Sequence, residues 1–85
     1  MQGAITDDFL LDLGFRALGC CTSYRRWLMQ WNDSQFVTLY QRLDTGTWSL
    51  RYRGYFVQGL STTKQLDDAF ALLERWGVLE PRQDK

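Results

Sequence analysis

The chain has no histidine, one proline and only two cysteines, which are neighbours, and each shortage removes a class of chemistry. Without histidine there is no ordinary general base near neutral pH, no imidazole metal ligand and no Ser-His-Asp or Cys-His arrangement. Neither a Walker phosphate loop nor a Gly-x-Gly-x-x-Gly turn occurs. A bridge between Cys20 and Cys21 would close a small strained ring with almost no loop entropy to gain. Two sulfurs with no further cysteine or histidine also leave a zinc shell incomplete, so reduced thiols in a cytoplasmic protein are expected. The opening MQGAITDDFL has no basic segment leading into an apolar run, and about 20 apolar residues never occur together, so neither secretion nor membrane spanning is expected. The paired carboxylates Asp7 with Asp8, and Asp67 with Asp68, have the composition of a magnesium site, but they stand where helix N-termini attract negative charge. No catalytic set, metal site or cofactor is assigned, and the expectation is a non-enzymatic protein.

Net charge is also missing, since ten Lys and Arg balance ten Asp and Glu. The molecule as a whole is therefore neither drawn to nucleic acid nor an acidic mimic of it. Distribution is more informative: residues 15–66 hold seven basic side chains against Asp33 and Asp44, while the other acids gather in 7–12 and from 67 onward. At 85 residues the chain is one domain, 1–85, with a short charged tail over 80–85. A domain this small hides only about 60 to 65% of its unfolded surface. Thirteen aromatic residues offset the thin core, because each buries of the order of 150 to 250 Å².

Local signals order these residues. Thr6 before Asp7 and Asp8 suits a helix start, Ile5 can staple to Leu10, and Gly14 is the stop, giving a short helix over 7–13 and a first strand over 15–18. Residues 24–60 have no proline, are rich in aromatic and β-branched types and alternate, which predicts strands. Breaks fall at NDSQ (32–35) and DTGT (44–47), with a third turn suggested by Gly54. In STTKQLDDAFALLERWG, Thr62 and Gln65 form a capping box and Gly77 a stop, and Leu66, Ala69, Phe70, Leu73 and Trp76 make one apolar stripe. The expected fold is α+β: an antiparallel sheet of three to five strands with a short N-terminal and a longer C-terminal helix on one face.

The arrangement ITDDFLLDLGF, then DTGTWSLRY, then GLSTTKQLDDAFALL resembles small uncharacterised proteins of bacteriophages and mobile elements and covers most of the chain. That resemblance implies a small accessory or inhibitory binding protein and assigns no functional residue.

Strand parity decides which side chains meet a partner. A two- or four-residue loop near Gly46 pairs Leu43 with Trp48, Gln41 with Leu50 and Leu39 with Tyr52, an apolar face whose reverse carries Phe36, Tyr40, Arg42, Arg51 and Arg53. For YRRWLMQW, an even loop at NDSQ turns Trp27 and Trp31 to that reverse face and Arg26 inward. An odd loop, 33–35 with a bulge, buries the tryptophans beside Val37 and Leu39. Because an unpaired buried arginine is very costly, the odd loop is preferred. The expected partner-binding residues are then Arg26, Phe36, Tyr40, Arg42, Arg51 and Arg53. Exposed arginine and tyrosine are typical of protein interfaces, so the first expectation is a protein partner with an acidic surface, a homodimer being compatible with it. The alternative is single-stranded nucleic acid stacking on the same face.

Overall fold

The structure, a computed structural model, describes residues 3–20 and 22–80, without the side chain of Cys20. Its elements are α1 (Asp7–Leu13), β1 (Arg16–Cys20), β2 (Tyr24–Gln30), β3 (Phe36–Arg42), β4 (Trp48–Tyr52), β5 (Tyr55–Leu60) and α2 (Thr63–Arg75). The five strands form one antiparallel sheet in the order β1-β2-β3-β4-β5, the α+β layout expected from sequence. Both helices lie on one face, where Leu10 of α1 and Leu66, Ala69, Phe70 and Leu73 of α2 join the inward residues of the sheet in a single core.

The helix ends are those the sequence signals. Thr6 accepts a hydrogen bond from the Phe9 N–H, and Ile5 and Leu10, on either side of that cap, are both buried. Gly14 takes the left-handed conformation (φ 104) that ends α1. In α2, the Thr62 hydroxyl receives the Gln65 N–H while Gln65 Oε1 receives the N–H of Thr62, completing the capping box. At the other end Val78 N–H bonds to Leu73 C=O and Gly77 N–H to Glu74 C=O, a Schellman closure made possible by Gly77 at φ 75. That closure corrects the expected stripe. Trp76 caps the helix and is 59% exposed, while the reversed chain places Leu79 in the core in its stead.

The odd parity expected at NDSQ holds. Trp27 lies opposite Leu39 and Met29 opposite Val37, all four buried, and Arg26 lies opposite Tyr40 on the other face. The loop itself is residues 32–34 rather than 33–35, because Trp31 N–H bonds to Gln35 C=O and Asn32 Oδ1 receives the N–H groups of Ser34 and Gln35. The β3–β4 pairing slips by two residues from the expected one: Gln41 faces Trp48 and Leu39 faces Leu50. Arg42 N–H bonds to Thr47 C=O, which makes the loop residues 43–46 and leaves Leu43 exposed instead of on the apolar face. A slip of two conserves parity, so the side chains within β3 and β4 keep their expected sides. The last strand, not placed from sequence, follows a two-residue turn at Arg53 and Gly54, closed by Tyr52 opposite Tyr55.

Candidate functional site: the open face of the sheet

With both helices on one side, no element among the described residues covers the other face of the sheet. Its side chains fall in cross-strand rows set by the register. The longest row crosses all five strands: Arg16, Leu28, Thr38, Arg51 and Phe56. At about 4.8 Å per strand it spans roughly 19 Å. The next row contains Gly19, Arg26, Tyr40 and Ser49, and the sheet ends carry Phe36 beside Gln30 and Tyr24 beside Arg42. Phe36 and Phe56 are 49% and 52% exposed, and Tyr24 meets Tyr40 edge-on at 5.3 Å between ring centres.

Of the residues expected to bind, Arg26, Phe36, Tyr40, Arg42 and Arg51 share this face. Arg53 does not: it sits in the β4–β5 turn at φ 53, with its guanidinium 5.4 Å from the centre of the Tyr52 ring. Arg42 is on the face but already engaged, donating from Nε and Nη2 to the Asp44 carboxylate at 3.1 and 2.8 Å. Those hydrogen bonds, with the guanidinium charge, outweigh desolvation and hold the Asp44 carboxyl below its ordinary value. Arg16, Arg26 and Arg51 have no acidic partner among the described residues.

Sequence reasoning missed Arg16 and Phe56. The side that Arg16 takes depends on a bulge between Ala17 and Gly19, and that of Phe56 on which two residues make the last turn. Gly54 marked that turn, and alternation from Tyr55 onward would have found Phe56. Among the described strand residues, one arginine lies on the covered face. Arg25 lies opposite Gln41, donates to both Asp7 carboxylate oxygens at 3.0 and 2.9 Å, and sits 5.3 Å from the centre of the Trp27 ring, tying β2 to the first turn of α1.

Elsewhere the chemistry is sparse. Among the described residues no three His, Cys, Asp or Glu side chains gather as a metal-binding group, and no helix is long and apolar enough to cross a membrane. Solvent-open hollows among the described residues include two beside the sheet. One, of about 370 Å³, is bordered by Gln35, Tyr52, Tyr55, Trp76 and Glu80, and the other, of about 430 Å³, by Thr22, Tyr24, Arg42 and Asp44. Cys21 and the tail beyond Glu80 lie outside the described residues. No protein-family model matches the chain, and neither the curated proteins nor the solved structures contain a match. What defines the molecule is an α+β fold with one sheet face left open.

Proposed function

We propose that this is a non-enzymatic binding protein, of the accessory or inhibitory kind found in phages and mobile elements, that docks an acidic protein surface with the open face of its sheet. One observation carries the proposal: among the described residues, three arginines without acidic partners, Arg16, Arg26 and Arg51, share a face with two half-exposed phenylalanines, and neither α1 nor α2 covers them. Aromatic rings and arginine are the side chains that supply most interface energy. The helical side is richer in acids: Asp8 and Asp12 on α1 and Asp67, Asp68 and Glu74 on α2 are all exposed, against Lys64, which pairs with Asp68, and Arg75. An acidic partner is thus attracted to one side and repelled from the other.

The test compares the wild-type protein with an Arg26→Ser/Arg51→Ser/Phe36→Ser variant as immobilised bait for proteins of the source cell, followed by affinity measurement with the purified partner. Binding should weaken tenfold or more in the variant while its melting temperature stays within a few degrees. A partner held equally by both baits refutes the face as the site. Capture of oligonucleotides of any sequence, lost linearly with the logarithm of salt concentration, replaces this reading with single-strand nucleic-acid binding.

A further inference from the structure

The two edges of the sheet are protected differently: just past β5, Ala4 bridges Thr62 and the Ile5 N–H bonds to the Ser61 C=O, whereas residues 55–59 have no such neighbour among the described residues. β1 begins with Arg16 and is interrupted by a bulge at residues 17–19, two common devices against edge pairing. β5 is longer, has the sequence YFVQGL with no charge and no proline, and exposes Tyr55 and Phe56 by 46% and 52%.

Hydrogen-bond alternation fixes which backbone groups of β5 are free. Arg42 N–H bonds to Thr47 C=O, so in antiparallel alternation Ser49 and Arg51 also bond towards β3, while Trp48, Leu50 and Tyr52 face β5. Tyr55 and Val57, opposite Tyr52 and Leu50, are therefore the residues bonded to β4, and Phe56 turns its N–H and C=O outward. The register then shifts by one residue, leaving Gln58 and Gly59 together opposite Ser49, whose own groups face β3. Phe56 and Gln58 thus present a short ladder of donors and acceptors to whatever lies beyond the edge.

We infer that this edge pairs with β5 of a second copy of the chain, antiparallel about a twofold axis at Val57. The strand suits itself as a partner. It carries no charge to repel an identical strand. The twofold places Phe56 of each copy opposite Gln58 of the other, so that the outward groups of both form four N–H···O=C bonds. It also brings each Tyr55 over Gly59 of the second copy, where an aromatic ring covers the bare backbone of an edge glycine. The two sheets become one of ten strands, and the open faces lie side by side. This contact uses the backbone of Phe56, whose ring belongs to the docking face, so Gln58→Pro, which leaves that ring in place, separates the dimer from the docking of an acidic partner. A strand pair alone buries less than the roughly 1,200 Å² of stable complexes, so the association is weak and concentration-dependent.

Sedimentation from about 10 µM to about 1 mM, the range suited to an interface below that size, should show the monomer giving way to a dimer. Phe56→Pro and Gln58→Pro each remove an outward donor without touching the ladder to β4, a substitution that edge strands tolerate, and each should weaken the dimer at least tenfold. The Arg16→Ser/Arg26→Ser/Arg51→Ser variant should dimerise as the wild type does. Amide exchange in the wild type needs no variant: the Phe56 N–H should become slower to exchange as concentration rises. A wild type that stays monomeric at the highest concentration overturns the inference. So does a dimer in which Phe56 exchanges at the same rate at every concentration, or one that survives a folded proline variant.

Discussion

Gln35 should be the most sensitive polar position in the protein, although nothing in its local sequence marks it. Its Nε2 donates to the Tyr52 hydroxyl at 2.8 Å and to the Val78 carbonyl at 3.0 Å, and its Oε1 accepts from Asn32 Nδ2 at 2.6 Å and from the Glu80 N–H at 2.9 Å. One side chain thereby joins the β2–β3 loop, the end of β4 and the returning chain after α2. Truncation in Gln35→Ala removes all four bonds. At about 0.5 to 1.5 kcal/mol each the sum is roughly 2 to 6 kcal/mol, and because the site is only half-buried, water recovers part of it. A loss of about 2 to 3 kcal/mol is expected, which lowers the melting temperature by roughly 10 to 20 °C in a domain of this size. Urea denaturation of Gln35→Ala, Tyr52→Phe and the double variant isolates the pair, whose coupling should be about 1 kcal/mol. A cost below about 0.5 kcal/mol for Gln35→Ala would refute the assignment of Gln35 as the joint and place the end of the fold under apolar control by Leu79 alone.

The tryptophans give a contrast: Trp27 Nε1 is buried without a partner, whereas Trp31 Nε1 donates to the Glu80 carbonyl at 2.6 Å. Trp27→Phe, which relieves that unpaired donor, should cost under about 1 kcal/mol, and Trp31→Phe should cost at least about 1 kcal/mol more, read by chemical denaturation. Acrylamide should quench essentially Trp76 alone, the other three tryptophans being at most 4% exposed, and Trp76→Phe should remove the quenchable component with little change in stability. Leu73→Ala, at a fully buried position of α2, should cost roughly 2 to 5 kcal/mol by the same denaturation assay. The Asp44 carboxyl should titrate below the ordinary range in an NMR experiment and rise towards it in Arg42→Ser, where the backbone N–H groups of Thr45 and Asp44 still hold it down; since its folded pKa is lowered, its ion pair supports the fold at neutral pH and is lost as pH falls through that folded value.

What the sequence made legible followed from local chemistry and from parity. Thr6 and Gly14 bound α1, and Thr62, Gln65 and Gly77 bound α2, because caps act within a turn of the residues that carry them. The faces of β2, β3 and β4 were legible because burying Arg26 costs more than burying Trp27 gains, and that comparison needs only alternation. Details that depend on absolute register were not legible. Leu43 left the core when the loop closed at Arg42 and Thr47, and Trp76 left it when the Schellman turn sent Leu79 inward. In each case a distant backbone hydrogen bond or a rival apolar residue decided between two local arrangements of nearly equal quality. The Arg53 turn is the plainest case. Glycine is the residue expected at positive φ, yet Arg53 takes it beside Gly54, because the β4 and β5 registers fix which two residues span the gap.

Neutral composition and a polarised surface follow from the same topology. A meander of five strands gives its residues only two directions, and both helices claim one of them. Acids at the helix starts and along their exposed sides are thereby kept on that flank, and arginines that alternate with buried rings are sent to the other. Arg25 is the one strand arginine on the covered face, and Asp7 neutralises it there; Asp44 does the same for Arg42 at the edge of the open face. Each strand arginine that has an acid within reach is thus paired, and those left over share one surface. Because charges farther apart than about 8 Å are screened at physiological salt, an approaching partner senses the nearer flank and not the total. A chain with no net charge can therefore present a locally basic surface, because the helices and the acids they carry lie on the other side of the sheet.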